Sequence, residues 1–407
     1  MSTELYLDTA RMGAMCRPAK EACQAYLSLT ASEGCSTCFE SFFRDGFDAL
    51  PMSFRERYTG LSTWPGLTRF KDHVRAVTTV ADMPEVLVAN RTSHLMRLAA
   101  QCLFRRCSRV LTTDLEWPGY LTILEKERFR LNGSLLQVPL RAMLLADRCS
   151  PQEELHLVVR AYIANGCDGL FLSAVTYQGF RLPVQEIVLA VSNAPRPPLV
   201  VIDGAQTFGH TPTRPLLEHC DFFIAGAHKW LQAAFPMGLG LCPCLGTQGF
   251  IRRVLADMIT EGSLDDPLLQ FSRQCEAGQT EPFGETVSLF PLFPCAGAIA
   301  GLLQEDGGSA GRFQRLLDRA RKLESAADGT PWQALTAQDD LRSGILLLQS
   351  TSAEVRSLSP TSIRQRFQKH GVALSAYADG TIRLSAPPGL LCDADLARLH
   401  SALIAWI

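Results

Sequence analysis

Short apolar runs alternate with longer amphipathic stretches through the first two thirds of the chain, and this alternation constrains the fold more than any other feature. The runs read "RVLTTDLEW" (109–117), "GSLLQVPL" (133–140), "GLFLSAV" (169–175), "PPLVVIDGA" (197–205), "DFFIAGA" (221–227) and "GLGLCPC" (238–244). Apolar runs of strand length, separated by helical patterns, indicate a mostly parallel sheet covered on both faces. Residues from about 55 to 290 thus form one large α/β layer. Beyond Pro294 the order becomes helix ("AGAIAGLLQE", "SAGRFQRLLDRARKLESAADG"), strand ("GILLLQS"), helix ("SPTSIRQRFQKHGV"), strand ("GTIRLSAP"), helix ("DADLARLHSALIAWI"). That is a smaller α+β unit of its own. The expected division is an N-terminal segment 1–20, a large domain 21–294 and a small C-terminal domain 295–407. With 407 residues and 47% hydrophobic content, the chain can bury cores of both sizes.

A formal net charge of -2, without any long run of like charge, lacks the basic footprint that nucleic acid or an anionic membrane requires. A small molecule or a protein is the expected partner. The start, "MSTELYLDTARMG", has no apolar stretch of signal-peptide length, and no segment reaches the roughly 18 consecutive apolar residues of a membrane span. A cytoplasmic location is therefore expected, with the fourteen cysteines reduced. Cys35 and Cys38 form a single CxxC, "GCSTCFE". A tetrahedral zinc site needs four ligands, and no second pair follows at a usable distance, so no metal is expected.

The chain has only six lysines, and Lys229 in "AGAHKWL" directly follows an apolar run. Burial there would lower its pKa and free the amine as a nucleophile. Most lysines are solvated, so a surface cap on the strand is the alternative. The preceding run, "VVIDGAQTFGH", puts Asp203 at the C-terminal end of its strand, the edge where open α/β sheets bind ligands. An acid and an amine then emerge at one rim. Pyridoxal 5'-phosphate uses both: a lysine to hold it and a carboxylate to keep its pyridine nitrogen protonated.

The series Asp203-Gly204-Ala205-Gln206, Gly209-His210, Asp221 and His228-Lys229-Trp230 resembles the class V aminotransferase and cysteine desulfurase family, whose pattern is D-x-A-Q-x-x-G-H followed by H-K. "YLDTARMG" (6–13), "CEAGQT" (275–280) and "IRLSAP" (382–387) are similar to that family's L-D-x-A-x-x-G, E-x-G-T and R-x-S. The resemblance implies a pyridoxal-phosphate-dependent transferase fold of type I, with a seven-stranded, mostly parallel sheet in the large domain and a smaller α+β domain after it. It also implies that Lys229 holds the cofactor as a Schiff base and shuttles the substrate's α-proton. Asp203 would pair with the pyridinium, Gln206 with the ring's phenolic oxygen, and His228 with the phosphate. In "VLVANRTSHLMRLAAQCL", Thr92 and Ser93 open an amphipathic helix, which is a ready phosphate site as well as an ordinary N-cap. Arg383 would grip the substrate's α-carboxylate, since an arginine in an apolar strand needs an anionic partner. The family is dimeric, and Thr280 would reach the phosphate across the homodimer interface.

The chain departs from that pattern in several places. The family's ring-stacking histidine, found in an E-H context, is replaced by Trp117 after Glu116. An indole stacks equally well. Thr176 and Tyr177 stand where an asparagine is common, which alters contacts to the ring oxygen or the substrate. Gly226 replaces a serine that would add a phosphate donor. Arg11 stands where relatives carry a small residue, either as a second anchor for an acidic or bulky substrate or as a surface residue. No cysteine lies between Cys295 and Cys392, so the persulfide route of the desulfurases is not expected. The expected reaction is β-elimination from an amino-acid S-conjugate by a C–S lyase. The alternative is an aminotransferase, or a decarboxylating or deaminating enzyme of a specialised biosynthetic pathway.

Overall fold

The computed structural model describes residues 4–34, 39–146, 149–193, 198–278, 283–335 and 338–406. After a two-residue strand, β1 (Leu5–Tyr6), seven apolar runs form one sheet: β2 (Glu85–Ala89), β3 (Arg109–Thr113), β4 (Ser134–Val138), β5 (Gly169–Ser173), β6 (Leu199–Asp203), β7 (Phe222–Gly226) and β8 (Gly238–Cys242). Their spatial order is β2-β8-β7-β6-β5-β3-β4. All but β8 share one direction; β8 runs antiparallel between β2 and β7. The central strands are buried along their whole length, whereas edge strand β4 exposes Ser134 and Gln137. A strand covered on one side only has no need of a continuous apolar run.

Strand periodicity of two divides the side chains between two cores. Val201, Phe222 and Ile224 face the helices Thr92–Arg106 and Leu245–Thr260, where Leu95, Leu103, Ile251 and Leu255 complete one core. Val200, Ile202, Phe223 and Ala225 face the opposite core, with Phe42, Phe70, Val158 and Phe293. Phe293 belongs to the helix Leu292–Leu303 and packs its ring against Tyr26 at 4.3 Å and Phe42 at 5.4 Å. The layer covering the large sheet therefore continues past position 294.

The C-terminal region contributes β9 (Trp332–Ala334), β10 (Ile345–Ser350), β11 (Val372–Ala373), β12 (Ser375–Ala376) and β13 (Thr381–Ser385). Four of these make an antiparallel sheet in the order β12-β13-β10-β9, while β11 pairs in parallel with β1. Side-chain caps start two of the adjoining helices: Ser352 accepts from the Val355 amide and Ser359 from the Ser362 amide. The core of this unit, with Leu348, Phe367, Ile382 and Leu403, also takes in Leu5, Leu7 and Trp230. The N-terminal strand and the neighbour of Lys229 are thus built into the small unit. Among the described residues, no helix is long and apolar enough to cross a membrane.

Candidate active site

Parallel strands β6 and β7 lie side by side, with Asp203 opposite Ile224, so Asp203 and the residues after Gly226 leave the sheet at the same rim. Lys229 stands three residues beyond β7 in a tightly held turn. Gln232 and Ala234, just after it, adopt left-handed backbone angles, with φ of 63° and 61°. Such angles cost side-chain-bearing residues about 1–3 kcal/mol and persist only where the surroundings enforce them. Arg312 braces the turn, donating from Nε to the Gly209 carbonyl at 2.7 Å and from Nη2 to the Trp230 carbonyl at 2.8 Å. From the other side the Gly13 amide donates to the His228 carbonyl at 2.7 Å, and a Cβ on Gly13 would collide with the Lys229 carbonyl.

Electrostatics at the rim follow from burial. The Lys229 ammonium is pushed down to about 8, chiefly by desolvation, with the Arg383 charge adding to the shift and Asp203 opposing it. Among the described residues, no hydrogen bond or ion pair engages its amine. Asp203 is buried and its pKa is raised by desolvation, countered by the Ala205 amide, the Lys229 charge and the Ser173 hydroxyl. The Ala205 amide donates to Asp203 Oδ1 at 2.8 Å, and Ser173 Oγ lies 3.3 Å from Oδ2.

A second cluster forms where the helix Thr92–Arg106 begins. Asp266 fixes this start by accepting from the Asn90 amide at 2.9 Å and bonding His94 Nδ1 at 2.6 Å. Gly238 lets the helix approach, because a Cβ there would stand 2.9 Å from the Thr92 amide nitrogen. Thr92 Oγ1 donates to the Ala225 carbonyl at 3.3 Å. A Cβ on Gly226 would lie 3.0 Å from Thr92 Oγ1 and 3.1 Å from His228 Cε1, so these three residues meet at one point. His228 Nδ1 is buried without a hydrogen-bond partner among the described residues. Its pKa is pushed down to about 4, first by burial and then by the Lys229 and Arg91 charges, so it is a neutral imidazole.

The third part of the rim comes from the small sheet. Arg383 in β13 is buried and donates from Nη1 to the Tyr177 carbonyl at 3.0 Å and from Nη2 to Asp8 Oδ1 and Ser375 Oγ, both at 3.3 Å. Ser375 Oγ also donates to Asp8 Oδ1 at 2.6 Å. Arg383 Nε is buried and unpartnered among the described residues. Above this group, Trp117 meets Tyr177 edge to face at 5.3 Å, and Tyr177 lies 6.2 Å from Tyr377.

Residues 63–244 match the model of the aminotransferase class-V family. This segment is similar to a class-V aminotransferase domain. No curated protein matches the chain. Solved structures match it end to end. The cystine C–S lyase C-DES, in complex with its reaction product cysteine persulfide, has a TM-score of 0.69 at 16% identity, covering 98% of this chain and 97% of its own. Cysteine desulfurase CsdA from Escherichia coli gives 0.66 at 15% identity, covering 98% and 94%. Ureidoglycine–glyoxylate aminotransferase from Bacillus subtilis gives 0.68 at 12% identity, covering 100% and 92%. At these identities the likeness establishes the fold, in which the seven-stranded sheet and the smaller C-terminal unit are both present.

Within this fold, Lys229, Asp203, His228, Thr92 and Arg383 gather at the rim, and Ser93 lies part-buried beside Thr92. Other expected residues have different surroundings. Gln206 donates from Nε2 to the Ala10 carbonyl at 2.8 Å and accepts at Oε1 from Trp230 Nε1 at 2.7 Å. It ties the N-terminal segment to the Lys229 turn, leaving one amide hydrogen for a ring oxygen. The Thr176 hydroxyl accepts from the Phe180 amide at 3.1 Å, closing its own turn. Arg11 is exposed, with its charge near Tyr6 and Tyr377. Trp117 is 48% exposed. Thr280, Cys35 and Cys38 lie outside the described residues. Sequence reasoning missed Asp8, Ser375, Arg312 and above all Glu116, which is fully buried and bonded to Ser173 and Thr113. The only signal for Glu116 was its place in "LEW", beside the residue that drew attention.

Proposed function

We propose that the chain is a pyridoxal 5'-phosphate enzyme that cleaves the C–S bond of an amino-acid conjugate by β-elimination, yielding pyruvate, ammonia and a thiol. Lys229 carries this proposal, because it is a rim amine with its pKa brought down to about 8 and no competing anion at hydrogen-bonding distance among the described residues. The surrounding donors fit the cofactor: an unpartnered neutral His228 and the Thr92 helix start suit its phosphate, and buried Asp203 suits its ring nitrogen. When bound, pyridoxal phosphate supplies an electron sink conjugated to the substrate's α-carbon.

The chain's own residues would then divide the work. Lys229 Nζ would hold the cofactor covalently and would take the proton from the substrate's α-carbon. The thiolate leaves from the β-carbon as the α,β double bond forms, and water releases pyruvate and ammonia. Arg383 binds the α-carboxylate through its free Nε edge, with Asp8 and Ser375 holding the guanidinium in place. Trp117 would cover the cofactor's ring. A persulfide relay is disfavoured because the sequence between Cys295 and Cys392 contains no cysteine. The reading includes a homodimer, with Thr280 reaching the phosphate across the interface, and a cytoplasmic location. Consistent with the latter, all the described cysteines are free thiols.

The test is the visible spectrum of the purified protein with added pyridoxal phosphate, followed by challenge with cysteine S-conjugates and ordinary amino acids. A cofactor band that is absent in Lys229→Ala, with pyruvate released from a conjugate, supports the proposal. Amino transfer to a 2-oxo acid without pyruvate formation replaces elimination by transamination. A protein that takes up no cofactor refutes both.

A further inference from the structure

Glu116 follows β3 and is completely buried, yet no ion pair engages it among the described residues. It lies against Ser173, the last residue of β5, which in turn lies against Asp203, the last residue of β6. Two carboxyl groups therefore flank one serine hydroxyl inside the protein, and that hydroxyl has one hydrogen to give.

The contacts require one shared proton along Glu116, Ser173 and Asp203, and the Lys229 charge beside Asp203 favours placing it on Glu116. Glu116 Oε1 accepts twice, from Thr113 Oγ1 at 3.1 Å and from the Ser173 amide at 3.2 Å. Oε2 has one partner, Ser173 Oγ, in close contact. Ser173 Oγ lies 3.3 Å from Asp203 Oδ2, while Asp203 Oδ1 accepts from the Ala205 amide. If both acids were ionised, the single serine proton could serve only one, and two buried anions would face each other uncompensated. If Glu116 Oε2 carries a proton, it donates to Ser173 Oγ, Ser173 donates to Asp203 Oδ2, and each atom in the chain is satisfied.

We infer that Glu116 is a positioning residue kept as the neutral acid, and that through Ser173 it holds Asp203 as an ionised acceptor. The inference rests on the proposed cofactor role of Asp203. Burial alone drives Asp203 toward protonation, which would disable it as a partner for a pyridinium; a donor relay counteracts that drift. Burial also pushes Glu116 up to about 8, with the Asp203 charge adding to the shift. The other titratable groups facing Asp203 are Lys229, whose charge favours the ionised aspartate, and the buried Tyr120.

Glu116→Gln separates the possibilities, because its amide donates to Ser173 from the place where the acid proton would sit. At neutral pH, the infrared difference between the parent protein and Glu116→Gln should contain a carboxylic-acid C=O band. Glu154, a second buried acid pushed up to about 8, cancels in the subtraction. Superimposable spectra in that region would overturn the inference. In the cofactor-loaded protein, Ser173→Ala should shift the pH midpoint of the visible band by about one unit, a tenfold change in the equilibrium. Glu116→Gln should shift it by less than a third of that; an equal or larger shift would also overturn the inference. If Ser173→Ala does not fold, Ser173→Cys serves instead, since a thiol is a weak donor. The infrared band needs no cofactor. Its presence in a protein that takes up no pyridoxal phosphate would refute the proposed function, whereas cofactor uptake without the band would refute the relay alone.

Discussion

Lys71 and Lys229 are both drawn out of water, and burial lowers the pKa of both amines. Lys71, on the helix Leu67–Thr78, meets Glu276 at 2.7 Å and pins that helix to the end of the helix Pro267–Glu276. Lys229 meets no anion at that range among the described residues and sits in a turn braced by Arg312 and Gly13. Desolvation alone does not distinguish a structural lysine from a reactive one. A buried amine with a committed carboxylate holds two elements together, whereas one with no anion at hydrogen-bonding distance is free to bond to something else.

The largest break in this comparison should come from Lys229→Ala, which removes the covalent anchor and the proton carrier together and should lower turnover by at least about 10²–10⁴-fold. Lys71→Met should keep the cofactor band. Next in size, Glu276→Ala strands the Lys71 charge and should cost about 3 kcal/mol in denaturant unfolding. Lys71→Met should cost less, because the Glu276 side chain is 37% exposed and can rehydrate. Arg383→Ala should raise KM by roughly tenfold to a hundredfold with a smaller change in kcat, as expected for a charge-assisted carboxylate contact of about 1.5–3 kcal/mol.

The smallest effect is in stability against pH. The folded pKa of Lys229, about 8, lies below the ordinary 10.5, so between these values the unfolded chain binds the extra proton. Native stability of the cofactor-free protein should therefore rise with pH through that window. Lys229→Met should flatten the rise relative to the parent, as read from melting temperatures across the window.

Much of this was legible because it is local. Asp203 and Lys229 announce themselves as polar residues ending apolar runs, and parallel neighbouring strands bring such ends to one rim by geometry alone. The Arg383–Asp8 contact spans 375 positions, and no periodicity encodes it. The sequence did demand an anion for Arg383, but the substrate was the one assigned, and Asp8 already supplies one. Gln206 was legible as a polar residue in a motif, whereas its partners Ala10 and Trp230 arrive only when the N-terminal segment docks. Glu116 was illegible because one acid beside a tryptophan reads as surface; its burial depends on β3 and β5 closing over it. The boundary expected at 294 cuts the helix Leu292–Leu303, whose Cys295, Ala296, Ala298 and Ile299 pack into the core of the large sheet.

Borohydride reduction of the protein mixed with pyridoxal phosphate, followed by peptide mass mapping, tests the central claim most directly, because it fixes the cofactor to whichever of the six lysines holds it. A single stoichiometric label is expected on Lys229 and none on Lys71. A label spread over the surface lysines Lys20, Lys126, Lys322 and Lys369, or one concentrated on Lys71, would contradict it.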